Sequence, residues 1–147
     1  MGHFKDFVES NESDAKASIR KLPASHRALV RGCSFKFHPD GTLPGDDQHI
    51  GKVEDKPRRI TLAAPWNYSR CFVLYHEIAH LVFAKYIKGT KLEKEWNKLC
   101  AKTKNKVKQN NEELFAHSYA MAYLGNFKVE RHDHAELIDF IFHRVPK

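Results

Sequence analysis

The sequence predicts a domain of the α+β class, in which a small mixed sheet lies between two groups of helices. Strand-like stretches gather before Pro65, stretches of helical length follow it, and no strand–helix–strand repeat is visible. A chain of 147 residues has the length of one domain and can bury a core without disulfides. We therefore expect residues 1–147 to form a single domain.

Two short helices and three strands are expected in the first half of the chain. Pro23 stops the first helix and suits the first position of the second, which Gly32 ends. The last two strands form a hairpin through a turn at residues 55–57. The expected ranges are 12–21 and 23–31 for the helices, and Ser34–His38, His49–Glu54 and Arg59–Ala63 for the strands.

Four helices are expected in the second half. Ser69 is a suitable N-cap for a long helix, and Gly89 follows its end. Asp133 and Glu136 form a capping-box pattern at the start of the last helix. The expected ranges are 69–86, 91–104, 110–125 and 133–143.

Neither an export signal nor a membrane span is visible in the sequence. The first ten residues mix charges with Phe side chains, and no apolar run has the length of a bilayer. Cys33, Cys71 and Cys100 are too widely spaced for a disulfide framework or a metal knuckle, which favours free thiols in a reducing compartment. We expect a cytoplasmic protein without a membrane partner.

The net charge is +7, and the basic excess lies in the segment Lys85–Lys108, which holds nine Lys and two Glu. A basic segment of this kind is most often a solvated helix face. Nucleic acid is the alternative partner, but the aromatic residues typical of a single-strand binding groove are not interleaved there.

The main functional motif is His-Glu-Ile-Ala-His at residues 76–80. Residues four apart lie on one face of a helix, so His76 and His80 are expected to bind one zinc ion. Glu77 lies on the flank of that face, where it can act on a water held by the metal. The surrounding segment is apolar nearly all round, which predicts a buried helix. The alternative is a pair of core histidines that hydrogen-bond to backbone or carboxylates.

A catalytic zinc usually takes three protein ligands, so a third is needed. Glu113 begins an otherwise apolar stripe on the helix after Asn110 and is the expected ligand, with Glu112 as the near alternative. A capping box between Asn110 and Glu113 is the structural alternative. His117, one turn further on, is expected to orient a zinc-binding His, although it is itself an alternative ligand.

These residues resemble the gluzincin metalloproteases, which use two His and a downstream Glu. The motif at 76–80 followed by Asn111-Glu112-Glu113-Leu114-Phe115-Ala116 is most similar to the catalytic domain of anthrax lethal factor and to the Pro-Pro endopeptidases. The resemblance covers about residues 60–142 and implies a zincin fold and peptide-bond hydrolysis. It also implies that Arg59–Ala63 is the edge strand against which an extended substrate lies.

The sequence departs from this family at the residue that stabilises the oxyanion. The family has Tyr seven residues before the Glu ligand, and Lys106 stands there in this chain. Tyr68, Tyr119, His117 and Lys106 are the remaining candidates for that role.

Three functions are therefore open. The first is a zinc endopeptidase with Glu77 as general base, including a protease that cleaves a repressor in the manner of the ImmA-like proteases. The second is a catalytically weak, zincin-like binding module. The third is a SprT-like protease that acts on DNA-associated proteins.

Overall fold

The computed structural model describes residues 13–38, 51–55, 58–63, 68–103, 110–125 and 135–147, with the backbone alone at 35–38, 51–55, 58–59, 61–63 and 68–70. The helices are α1 (13–19), α2 (Ala24–Leu29), α3 (Tyr68–Val82), α4 (Lys91–Lys102), α5 (Asn111–Leu124) and α6 (Ala135–His143). The strands are β1 (Ser34–His38), β2 (Gly51–Asp55) and β3 (Arg58–Ala63). Asp133, the expected N-cap of the last helix, lies outside the described residues. So does Lys106, which stands where the resembled family has Tyr.

The predicted α+β fold class is wrong, because the described chain is mostly helical. Helices account for 76% of the residues whose side chains are described. Ser34 and Ile60 are the two strand residues whose side chains are described, and Ile60 is buried; α3, α5 and α6 each contribute several core residues. The strands are only five or six residues long, and the apolar residues of the described core lie mainly in the helices.

The three strands pair in the order β1–β3–β2. β1 runs parallel to β3, with Phe35 opposite Ile60, and β2 runs antiparallel to β3, with Val53 opposite Ile60. β3 is therefore the central strand, and the prediction that Arg59–Ala63 is an edge strand is wrong. Its backbone groups are paired with a neighbour on each side, so an extended substrate has no free edge there.

The long helix expected at residues 69–86 is present as α3 followed by a π-helical turn, Phe83–Ile87. One face of α3 is buried, as the apolar sequence of this segment predicted. Helix α5 packs against both α3 and α6, and the large buried side chains of the described core include Tyr75 of α3, Trp96 of α4, and Phe115 and Tyr119 of α5. Of the helices that the structure describes, none combines the length and apolar character that crossing a membrane requires.

Helix α5 has a well-defined beginning and end, both visible in the sequence. The Asn110 side chain accepts a hydrogen bond from the Glu113 amide at 2.7 Å, which caps the N-terminus. Gly125 adopts φ +83° and ends the helix in the left-handed conformation that glycine tolerates best. The backbone of α5 is thus fixed at the turn that carries Glu112 and Glu113.

Candidate metal centre

His76 and His80 lie one turn apart on α3, with their ring centroids separated by 5.1 Å. Each side chain is 20% exposed, so both imidazoles sit at the rim of the core and remain reachable from solvent. Ile78 and Ala79, between them in sequence, are fully buried. The helical spacing therefore places both rings on one accessible face of an otherwise apolar helix.

Glu113 contacts both imidazoles through its carboxylate. Its Oε2 atom lies 3.0 Å from Nε2 of His76, and its Oε1 atom lies 3.2 Å from Nε2 of His80. One ligand atom from each of these three residues lies within 4.8 Å of the other two. Tetrahedral zinc with bonds of roughly 2.0–2.1 Å separates its ligand atoms by about 3.3 Å, and the two distances from the Glu113 carboxylate, 3.0 and 3.2 Å, are close to that value.

The capping alternative for Glu113 is correct in one part and wrong in another. Asn110 does cap the helix, since its side-chain oxygen accepts from the Glu113 backbone amide. The Glu113 carboxylate, however, contacts the two imidazoles on α3 instead of reaching back to the Asn110 amide. The backbone amide of Glu113 thus takes part in the helix cap, and its carboxylate takes part in the candidate site.

Glu112 contacts the other nitrogen of His80. Its Oε2 atom accepts from Nδ1 of that ring at 2.7 Å, whereas the Glu113 carboxylate faces Nε2. The geometry separates the two acidic residues that the sequence left as alternatives. Adjacent residues on a helix project about 100° apart. Two consecutive acidic residues are therefore expected to contact different atoms of a neighbouring helix.

Burial lowers the pKa of His76 below its ordinary value, and the nearby His80 and His117 lower it further. The Glu113 carboxylate opposes this shift, because a negative charge stabilises the protonated ring. Desolvation is the larger influence, so the neutral imidazole is favoured. Neutral imidazole is the form that coordinates a metal ion.

The remaining candidate residues occupy distinct positions around this centre. Glu77 is partly buried and lies next to His76 on α3. The His117 ring packs edge-on against Phe72, with a centroid distance of 5.2 Å, and is not among the three convergent ligand residues. Its expected role in orienting a zinc-binding His stays a prediction.

The structure narrows the candidates for an oxyanion donor. Tyr119 is fully buried, and its hydroxyl is bonded to His26 at 2.9 Å, so it does not serve the site. The Tyr68 side chain and the whole of Lys106 lie outside the described residues. His117 is the remaining candidate whose side chain is described.

Comparison with models of known protein families finds no match, and no curated protein matches the chain. The likeness to gluzincins therefore rests on the motif at residues 76–80 and on the segment around Glu113.

Proposed function

We propose that this protein is a zinc-dependent endopeptidase that hydrolyses peptide bonds in a polypeptide substrate. The observation that carries the proposal is the convergence of the Nε2 atoms of His76 and His80 on the carboxylate of Glu113. Two imidazoles and one carboxylate are a donor set that catalytic zinc takes, with a fourth position left for water. One zinc ion per chain is expected.

Glu77 is the proposed general base. When bound, zinc lowers the pKa of a coordinated water toward neutrality and polarises a carbonyl group. Glu77 accepts the proton from the attacking water and transfers it to the leaving amine. Its place beside His76 on α3 supports this role, since a neighbouring residue lies on the flank of the ligand face.

The proposed compartment is the cytoplasm, and no membrane partner is proposed. None of the three cysteines is in a disulfide in the structure; Cys33 and Cys71 are partly buried and Cys100 is buried. Thiols that form no disulfide, at these wide spacings, are typical of proteins in a reducing compartment.

The metal content of purified protein tests the proposal. We expect about one zinc per wild-type chain by elemental analysis, and loss or weakening of binding in Glu113→Ala. Glu136→Ala is the matched control, because Glu136 is an exposed acidic residue in the first turn of α6, a helix that carries none of the three candidate ligands. Wild-type protein without zinc, purified in the absence of chelators, would contradict the metal site.

Cleavage of a peptide library distinguishes an endopeptidase from a zincin-like binding module. Zinc-loaded wild-type protein is expected to cut peptides, and chelation followed by zinc addition is expected to remove and restore that cleavage. Stoichiometric zinc without cleavage of any peptide would favour the binding module.

A protease acting on DNA-associated proteins is the second candidate, and one surface supports it. Helix α4 exposes four lysines on one face: Lys91, Lys94, Lys98 and Lys102. Such a stripe can contact phosphates, although Glu93 and Glu95 lie on the same helix. Replacing the four lysines with Gln should abolish salt-dependent DNA binding under this proposal, and wild-type protein that does not retain DNA at low salt would contradict it.

A further inference from the structure

The two nitrogens of the His80 ring face two different carboxylates. Glu112 lies 2.7 Å from Nδ1, and Glu113 lies 3.2 Å from Nε2. The two glutamates are consecutive residues in the first turn of α5, yet they reach opposite sides of one ring. His80 is thereby held in one orientation by two side chains from a single helical turn.

A neutral imidazole carries one N–H group and one nitrogen lone pair. An ionised carboxylate only accepts hydrogen bonds, and each nitrogen of the ring faces one; the contact to Glu112 is the shorter, 2.7 Å against 3.2 Å to Glu113, which favours the N–H group on Nδ1. The lone pair is then on Nε2, the atom that faces the Glu113 carboxylate, which Nε2 of His76 also contacts. This tautomer is the one that a metal ion between the three residues requires.

The first turn of α5 is itself held from outside the site. The indole nitrogen of Trp96 donates to the Asn111 carbonyl at 2.7 Å, and Trp96 is fully buried. The Asn111 side chain donates to Asn97 at 2.8 Å, and Asn110 caps the helix. Glu112 therefore projects from a fixed backbone, although its side chain is 41% exposed.

We propose that Glu112 is a positioning residue, which holds His80 in the Nδ1–H tautomer and in the orientation that presents Nε2 to zinc. This inference rests on the proposed function, because it assigns to Glu112 a role in the same metal centre. A carboxylate that accepts from the outer nitrogen of a zinc-binding His also raises the basicity of the inner one. Glu112 does not touch the metal or the substrate in this role.

The test compares zinc affinity in wild type, Glu112→Ala, Glu112→Gln and Glu136→Ala, by competition with a chromophoric chelator. We expect Glu112→Ala to bind zinc about 10–100-fold more weakly. Glu112→Gln should recover most of that affinity, because its amide oxygen also accepts from Nδ1–H. Glu136→Ala removes a first-turn acidic residue from α6 and should bind like wild type.

The visible spectrum of the cobalt(II)-substituted protein separates positioning from ligation. Glu112→Ala should keep the wild-type spectrum at saturating cobalt, because the three ligands are unchanged, whereas Glu113→Ala should alter it. Unchanged zinc affinity in Glu112→Ala would overturn the inference and leave the metal site standing. A spectrum altered as in Glu113→Ala would make Glu112 a ligand and overturn it as well. Wild type that binds no zinc would overturn the proposed function and this inference together.

Discussion

The Nδ1 atom of His26 lies 2.9 Å from the hydroxyl oxygen of Tyr119, and this buried contact joins α2 to α5. The other ring nitrogen, Nε2, donates to the Pro146 carbonyl at 2.6 Å. Because a carbonyl only accepts, Nδ1 is the unprotonated nitrogen and accepts the Tyr119 hydroxyl proton. One fully buried ring thus ties the beginning of the described chain to the helix of Glu113 and to the C-terminal residues.

Replacing Tyr119 with Phe should destabilise the protein by about 1–3 kcal/mol, because the buried His26 Nδ1 then loses its donor. Tyr123→Phe is the matched control, since the Tyr123 hydroxyl is buried and has no hydrogen-bond partner among the described residues. Urea unfolding of the two variants measures the difference. Equal losses of stability would show that the His26 contact contributes nothing.

Stability should fall as the pH is lowered through the region below 6.5, the ordinary pKa of His. Burial lowers the pKa of His26 in the folded protein, and the Lys147 charge lowers it further, against the effect of the Pro146 carbonyl. Between the folded and the unfolded pKa, the unfolded chain binds more protons, so acid favours unfolding. Urea midpoints of wild type and His26→Gln between about pH 8 and about pH 5.5 measure this, and the variant should lose less stability. The His76 pKa is also lowered, but this contribution is common to both proteins.

Asn110→Ala should cost about 1 kcal/mol of stability, since the Glu113 amide loses its acceptor at the start of α5. Asn110→Asp keeps a side-chain oxygen at the same place and is the control. Thermal unfolding measures both variants. If alanine and aspartate gave the same midpoint, the capping contact would not be significant.

Glu77→Gln should abolish peptide cleavage and leave zinc binding at the wild-type level, because the amide cannot accept the proton but occupies the same space. Cleavage rate and metal content are measured on the same preparation. Substantial cleavage by the zinc-loaded variant would remove Glu77 from the mechanism.

The relative placement of the candidate residues was predictable where it depends on a single helix. The spacing of His76 and His80 fixes their shared face, and the position of Glu113 after an N-cap fixes the turn from which it projects. Which nitrogen of His80 meets Glu112 was not predictable, because it depends on how α3 and α5 are rotated against each other.

The sequence was less informative about the sheet and about buried polar residues. Strand patterns locate β1, β2 and β3 to within two residues, yet the central position of β3 depends on pairing between distant segments. Nothing in the local sequence around His26 predicts its burial, because both of its hydrogen-bond partners are distant in the sequence.

All three proposed ligands come from two helices, and His76 and Glu113 are 37 positions apart in the chain. An ion bound by both helices is a reversible cross-link that closes the intervening loop, and the unfolded chain does not offer the same site. Under the proposed function, metal uptake would therefore stabilise the folded chain by mass action. A higher free zinc concentration in the surroundings would raise the proportion of chains that are folded, in addition to the proportion that carry the ion.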